Sequence, residues 1–178
     1  TDLSGSDDPR LAFNNTLNST IDSGFWHNDP YEVGDLADQL PLEIGVNFSS
    51  PQIVTTYRIW ARIDRVHQAP KAWQIRAAID KATYDSGTYT TLDSRTNVTS
   101  FPTTSTSTPS DNLDKANEYN LSTIGAYQYY VFYFTESNDV RYMSIGELAL
   151  YGGGFTIPSQ IGHSGKTLKT NGTALEWS

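Results

Sequence analysis

The chain has no cysteine in its 178 residues, which excludes disulfides and thiolate metal sites and leaves core burial, bound ions or oligomerisation to supply stability. Positive charge is scarce. Twelve basic residues face 20 acidic ones, for a formal charge of −8, and no basic run concentrates them. This balance argues against nucleic acid and anionic membrane surfaces as partners bound by simple electrostatics. No apolar run approaches the ~20 residues that span a bilayer, so membrane insertion is not expected. The N-terminus shows neither an initiator Met nor a signal-peptide pattern, and the chain is read as a fragment or a processed product. Phosphate-binding loops and HExxH are missing too, and His27, His67 and His163 lie far apart in sequence. A hydrolase needs two close carboxylates or a nucleophile with its base. The acids here sit mostly in turn-like stretches, so catalysis is not expected.

What is present is a strand-rich pattern, with 37% hydrophobic residues and frequent Tyr, Thr and Val. Leu40, Leu42, Ile44, Val46 and Phe48 alternate with polar or small residues, the period of two of a half-buried strand. A Ser-Ser-Pro turn signal follows. Beyond it Tyr57, Ile59, Ala61 and Ile63 share one strand face, and Arg58, Trp60, Arg62 and Asp64 the other. Trp73 to Asp80 alternates again and stops in Tyr-Asp-Ser-Gly, ending at Gly87. Tyr89 to Leu92 reads as a short strand, and the Ser/Thr/Pro-rich stretch from Ser100 to Asn112 as an exposed loop. Tyr129 to Phe134, YYVFYF, is a continuous apolar run too short for a typical helix, and fits a central strand buried on both faces. Another strand spans Ile145 to Tyr151. Phe25, Trp26 and His27 lie between turn residues, so a loop should present them.

No helical periodicity and no internal repeat compete with these strands, and the expected architecture is an all-β sandwich. Residues 1–18 read as an N-terminal extension and 19–152 as the sandwich. After Gly152 to Gly154, a flexible joint, residues 153–178 hold too few apolar side chains to bury a core and read as a non-globular tail. Six Asn-x-Ser/Thr triplets begin at Asn14, Asn18, Asn47, Asn97, Asn120 and Asn171, by chance in an Asn- and Thr-rich chain or as glycan acceptors in a secreted protein. Glu147 is the odd residue. It is the one carboxylate in an otherwise apolar strand, either turned to solvent or held by a cation or by buried donors, because an unpaired buried charge is too costly to keep. Parity groups it with Ile145, Ala149 and Tyr151, away from the more apolar Leu148 and Leu150 face.

The succession of Asp22-Ser-Gly-Phe-Trp26, PLEIGVNFSSPQIV, APKAWQIRAAIDKATYDSGTYTTLDSRT, YQYYVFYF and RYMSIGELALYG resembles a discoidin-like domain over about Ser19 to Gly152. This is the galactose-binding-like jelly roll of coagulation-factor C domains and many carbohydrate-binding modules. Pro70 with Trp73, Leu92-Asp93 and the final IGELALYG carry the likeness most specifically. The Asp85 to Gly87 turn departs from the family pattern. Separately, Ile161 to Trp177 resembles C-terminal segments of tailed-bacteriophage fibres and adhesins.

The first resemblance implies a structural Ca²⁺ between Asp22 and Glu147, completed by loop carbonyls toward the roughly six to eight oxygens that Ca²⁺ prefers. The spacing from Asp22 to Trp26 is shorter than the family's, and a salt bridge or hydrogen bond is the competing role for Glu147. The same resemblance gathers three loops at one end of the sandwich, with Trp26, His27, Arg62, Arg65, His67, Asn138 and Tyr142 as ligand-binding residues. Their competing roles are structural: Trp26 plugging the end, Arg62 and Arg65 paired with Asp64 or Asp139, and His67 solvated. Together the two resemblances imply a non-catalytic virion adhesion module, trimeric through its tail, that binds a host-surface glycan at the virion surface. The alternatives are a structural decoration or joining protein of the virion with no glycan ligand, and a secreted cell-surface lectin.

Overall fold

The computed structural model describes residues 12–13, 26–27, 36–103, 115–152, 168–170 and 175–177. Among these, the strands in chain order are Trp26–His27 (β1), Leu42–Ala61 (β2), Pro70–Ala78 (β3), Thr90–Arg95 (β4), Asn117–Asn120 (β5), Ala126–Ser137 (β6), Ser144–Gly152 (β7), Leu168–Thr170 (β8) and Leu175–Trp177 (β9). Two short helices, Leu36–Gln39 (α1) and Lys81–Asp85 (α2), accompany them.

The alternation starting at Leu40 does form a strand, with Ile44 buried between exposed Glu43 and Gly45. It does not end at Ser-Ser-Pro, however. Ser49 to Pro51 are exposed and sit in a register break between Asn47 and Gln52, so the turn signal marks a bulge inside one 20-residue strand. The strand exchanges partners at a bend just beyond it. β2 pairs with β6 on both sides of the bulge, as far as Ile53; from Val54 it pairs with β7 on one edge, and over Thr56 to Ile59 with β5 on the other, all antiparallel. One layer is therefore the first half of β2 with β6, β3 and β4, and the other is β5, the second half of β2, β7 and β1. Tyr130 holds the bend: its hydroxyl donates to the Gln52 carbonyl at 2.7 Å and accepts the Val54 amide at 3.4 Å.

The core lies between the layers, where Ile44, Trp73, Ile75, Phe132 and Phe134 meet Tyr57, Ile59, Ile145 and Leu148. Tyr57 and Phe132 touch edge-to-face across the gap, with ring centroids 5.9 Å apart. β6 is buried on both sides, as its unbroken apolar run requires. On its outer side Val131 packs with Ala78 and with Tyr84 of α2. That helix occupies the stretch read as a turn. Asp80 caps it by accepting the Thr83 amide at 2.7 Å, and Gly87, at φ +84°, adopts the left-handed conformation that follows its end.

Three further expectations change. β2 stops at Ala61, so Arg62, Ile63 and Asp64 lie in a turn rather than on strand faces. Phe101, in the stretch read as an exposed loop, is buried in the core, while residues 104–112 of that stretch lie outside the described residues. β5 was not expected, because Asn-Glu-Tyr-Asn carries almost no apolar signal. Trp60 and Glu147 pair across β2 and β7 on the face away from the main core, yet are 1% and 5% exposed. The solvent-facing reading of Glu147 is thereby excluded.

A polar network crosses the core. Trp73 Nε1 donates to the Tyr57 hydroxyl at 2.9 Å, and that hydroxyl donates to Asp93 Oδ2 at 2.7 Å. The same carboxylate oxygen receives Arg95 Nε at 2.7 Å. Tyr119 stacks on Tyr57, and the Arg95 guanidinium lies 4.7 Å from the Tyr119 ring centroid. Burial first, then donation to Asp93, pushes the Tyr57 phenol far above its ordinary range.

Removing the Asp93 carboxylate strands a buried hydroxyl and a guanidinium at once. Asp93→Ala is expected to cost on the order of 2–4 kcal/mol in urea-unfolding free energy. Asp93→Asn should fall between it and the parent, since the amide oxygen still accepts from Tyr57. Alkaline stability follows from Tyr84, whose phenol burial pushes up from 10.0 to about 12, with the bond to Glu43 adding to it and Arg76 opposing. The folded chain keeps a proton there that the unfolded chain releases above pH 10, so thermal stability should fall as pH rises from 10 to about 12. Tyr84→Phe should show a shallower fall over the same window.

Candidate functional site

Two connections at one end of the sandwich are sewn together by short-range polar chemistry. Between β2 and β3 the chain turns tightly, with the Arg65 amide donating to the Arg62 carbonyl at 3.2 Å and the Gln68 amide to the Arg65 carbonyl at 2.9 Å. Val66–Gln68 forms a single 3-10 turn. Between β6 and β7, Asp139 Oδ1 accepts the amides of Arg141 at 2.8 Å and Tyr142 at 3.0 Å, an arrangement in which an Asp side chain organises its own turn. Ser137 Oγ donates to the Tyr142 carbonyl at 2.7 Å and lies 3.3 Å from the Gln68 carbonyl. Asn138 joins the connections, its side-chain NH₂ lying 3.1 Å from the Ala69 carbonyl and 2.9 Å from that of Val98.

These connections enclose a cavity of about 280 Å³ lined by Arg62, Arg65, Gln68 and Tyr142. Asp64 fixes Arg62 through a two-point contact, Nε to Oδ1 at 2.6 Å and Nη2 to Oδ2 at 3.1 Å, the planar fork that suits a carboxylate. Arg65 is held more loosely. Its Nη1 donates to the Asp64 main-chain carbonyl at 2.9 Å, stands 3.5 Å from Oδ2, and the side chain remains 49% exposed. Gln68 is buried at 8% exposure, its side-chain oxygen taken by the Ser144 hydroxyl at 3.0 Å. The remaining strand of this end, β1, pairs Trp26 with Ile145 and His27 with Ser144, next to the residue that anchors Gln68.

The predicted residues are thus distributed unevenly. Arg62, Arg65 and Tyr142 line one cavity. Trp26 and His27 form a short strand on β7 instead of the expected loop. Asn138 spends its donors on main-chain carbonyls, and His67 stands at the rim with Nε2 3.7 Å from Asp139 Oδ2 and a side chain 63% exposed. Gln68 was missed, since a Gln in a single 3-10 turn leaves no periodic or motif signal; only the Ser144 hydroxyl, 76 positions away, reveals its role. A second hollow of about 400 Å³ lies between 97–100 and 116–119, and holds none of the predicted residues.

The expected metal pair is half in view. Asp22 lies outside the described residues, and Glu147 is buried on β7. Among the described residues no three His, Asp or Glu side chains gather into a metal-binding group.

No family model and no curated protein sequence matches the chain. Solved structures do. A family 32 carbohydrate-binding module from a Clostridium perfringens family 31 glycoside hydrolase superposes with TM-score 0.57 at 18% identity, over 84% of this chain and 86% of that one. The family 32 module of Streptococcus pneumoniae EndoD gives TM-score 0.58 at 12% identity, over 86% and 90%. The fold is the discoidin-like jelly roll. The family 32 module of C. perfringens NanJ, solved with galactose, gives 0.56 at 15% identity over 83% and 86%. At these identities the likeness establishes architecture, and function has to come from the site.

Proposed function

We propose that the chain is a non-catalytic glycan-binding module and that its ligand sits at the end of the sandwich formed by the Arg62–Gln68 and Ser137–Tyr142 connections. The observation that carries this reading is the convergence of Arg62, Arg65, Gln68 and Tyr142 on one small cavity, built from two connections more than 60 residues apart. Sugars need directed hydrogen bonds to hydroxyls and an aromatic surface for their C–H faces. The guanidinium and amide groups supply the first, and Tyr142 with the adjoining Trp26–His27 strand the second. Likeness to the NanJ module, which holds galactose, supports the same ligand class.

The finer reading places the module on a virion appendage, attached through residues 153–178 and facing host-surface glycans. Its support is the fibre-like pattern of Ile161 to Trp177, within which β8 and β9 pair antiparallel with Leu168 opposite Trp177. A trimer joined by this tail would raise weak single-site affinity by multiplicity.

A structural Ca²⁺ belongs to this proposal. The discoidin-like resemblance pairs Glu147, a carboxylate at 5% exposure on β7, with Asp22 as oxygen ligands of such an ion. We assign Glu147 as one oxygen ligand, with Asp22 as its partner.

On a panel of host-surface polysaccharides, Arg65→Ala and Trp26→Ala are each expected to weaken retention at least about tenfold, the loss of one charge-assisted contact or one stacking surface. Unchanged retention in both would refute the site, and no retention of any glycan by the parent would refute the function. For the metal, chelator should lower the thermal midpoint of the parent and leave Glu147→Gln, already lowered, unmoved. A parent midpoint indifferent to chelator and to added Ca²⁺ would rule the ion out.

A further inference from the structure

The groups around the cavity are unbalanced in a way that bears on which sugar fits. Arginine has donors and no acceptor, and two of the four lining residues are arginines. Gln68 carries one acceptor, its side-chain oxygen, and the Ser144 hydroxyl occupies it at 3.0 Å. What remains on Gln68 is the NH₂, which finds no acceptor among the described residues although the residue is more than nine-tenths buried. A buried donor left unmet in this way costs about 1–3 kcal/mol, and a ligand oxygen at the cavity would recover that loss.

Charge points the same way. Among the described residues Asp64 is the carboxylate that both arginines reach, and Arg62 engages both of its oxygens. One guanidinium is thereby neutralised. Arg65 reaches the same carboxylate only at 3.5 Å and directs its Nη1 to a neutral carbonyl, so its charge is the excess one. The chain as a whole carries −8, and a surplus positive group facing a cavity departs from that background. A neutral sugar would bring hydroxyl protons that need acceptors. An anionic substituent accepts from every group present and donates to none.

Resting on the glycan reading above, we propose that the cavity selects an acidic sugar, its carboxylate or sulfate ester lying against Arg65 and the free NH₂ of Gln68. Arg65 supplies the charge-assisted hydrogen bond, Gln68 a neutral donor held in place by Ser144, and Arg62, fixed by Asp64, the wall that orients the ring.

The test is calorimetric titration of the whole chain with three matched oligosaccharides: neutral galactose units, the corresponding galacturonates, and the sulfated neutral form. The acidic forms are expected to bind at least about tenfold more tightly than the neutral one at low salt, with the advantage shrinking as salt screens the exposed Arg65. The better of the two acidic forms identifies the anion. Arg65→Ala should weaken the acidic ligands far more than the neutral one, narrowing their advantage to within about twofold, and Arg65→Lys should retain part of the preference. Gln68→Glu, which exchanges two donors for acceptors in the same shape, should abolish it. Equal affinity for all three ligands, weakened equally by Arg65→Ala, would overturn the acidic preference and leave the glycan site standing. Binding of none of them would overturn the acidic preference, and no retention of any panel polysaccharide besides would overturn the glycan site with it.

Discussion

The fold depends on one buried carboxylate. Asp93, 5% exposed on β4, accepts from Tyr57 on β2 and from Arg95, while Trp73 on β3 completes the chain through the Tyr57 hydroxyl. Tyr57 belongs to one layer and Trp73 with Asp93 to the other, so the network fixes how the layers sit on each other as well as how far apart. Apolar packing alone tolerates sliding between sheets. A set of directed bonds in a low-dielectric core does not, because any shift leaves a donor or a charge unmet. The aromatic bodies of Trp73 and Tyr57 supply hydrophobic burial at the same place, which makes the network an anchor inside the core rather than a polar intrusion.

From that anchor the long β2 strand distributes order to both layers. Past its bulge at Ser49 to Pro51 it keeps β6 as partner through Ile53 and then takes β7 from Val54, and the Tyr130 hydroxyl bridges Gln52 and Val54 at the bend. A strand shared in this way leaves little freedom between the layers. Its far end, at Ala61, delivers Arg62 to Gln68 to the same end of the sandwich as the β6 to β7 connection. The cavity therefore rests on two connections whose roots are core strands, and Ser137 and Asn138 close the remaining gap by holding main-chain carbonyls of the opposite connection. A site mounted on rigid strands is better preorganised than one carried on free loops, which lowers the ordering cost of binding.

Much of the fold was legible in the residues. Alternation located β3, most of β2 and most of β7, and the uninterrupted YYVFYF run located the central β6, since periodicity reports which sides of a strand meet apolar surroundings. The misreadings share a cause. Ser-Ser-Pro is a turn signal by composition, yet whether the chain reverses or merely bulges depends on β6 offering partners on either side of it. Lys81 to Asp85 forms a helix because Asp80 caps it and because Val131 and Ala78 give Tyr84 a surface to cover. The site divides the same way: Arg62, Arg65 and Tyr142 could be chosen for their chemistry, whereas Gln68 became visible only beside Ser144.

By itself, the sequence determined the all-β class, the strand that would be buried on both faces, the exclusion of disulfides, the acidic charge balance, and the residue types from which a sugar site can be made. Those properties are local: composition, period and side-chain chemistry are carried by each segment alone. The tertiary structure decided that β2 serves both layers, that Glu147 is buried beside Trp60, and that four side chains from two distant connections share one cavity. Each of these depends on which distant segments pair and in what register. A one-residue slip would turn every side chain of a strand to the opposite face, and no local pattern records the partner that prevents it.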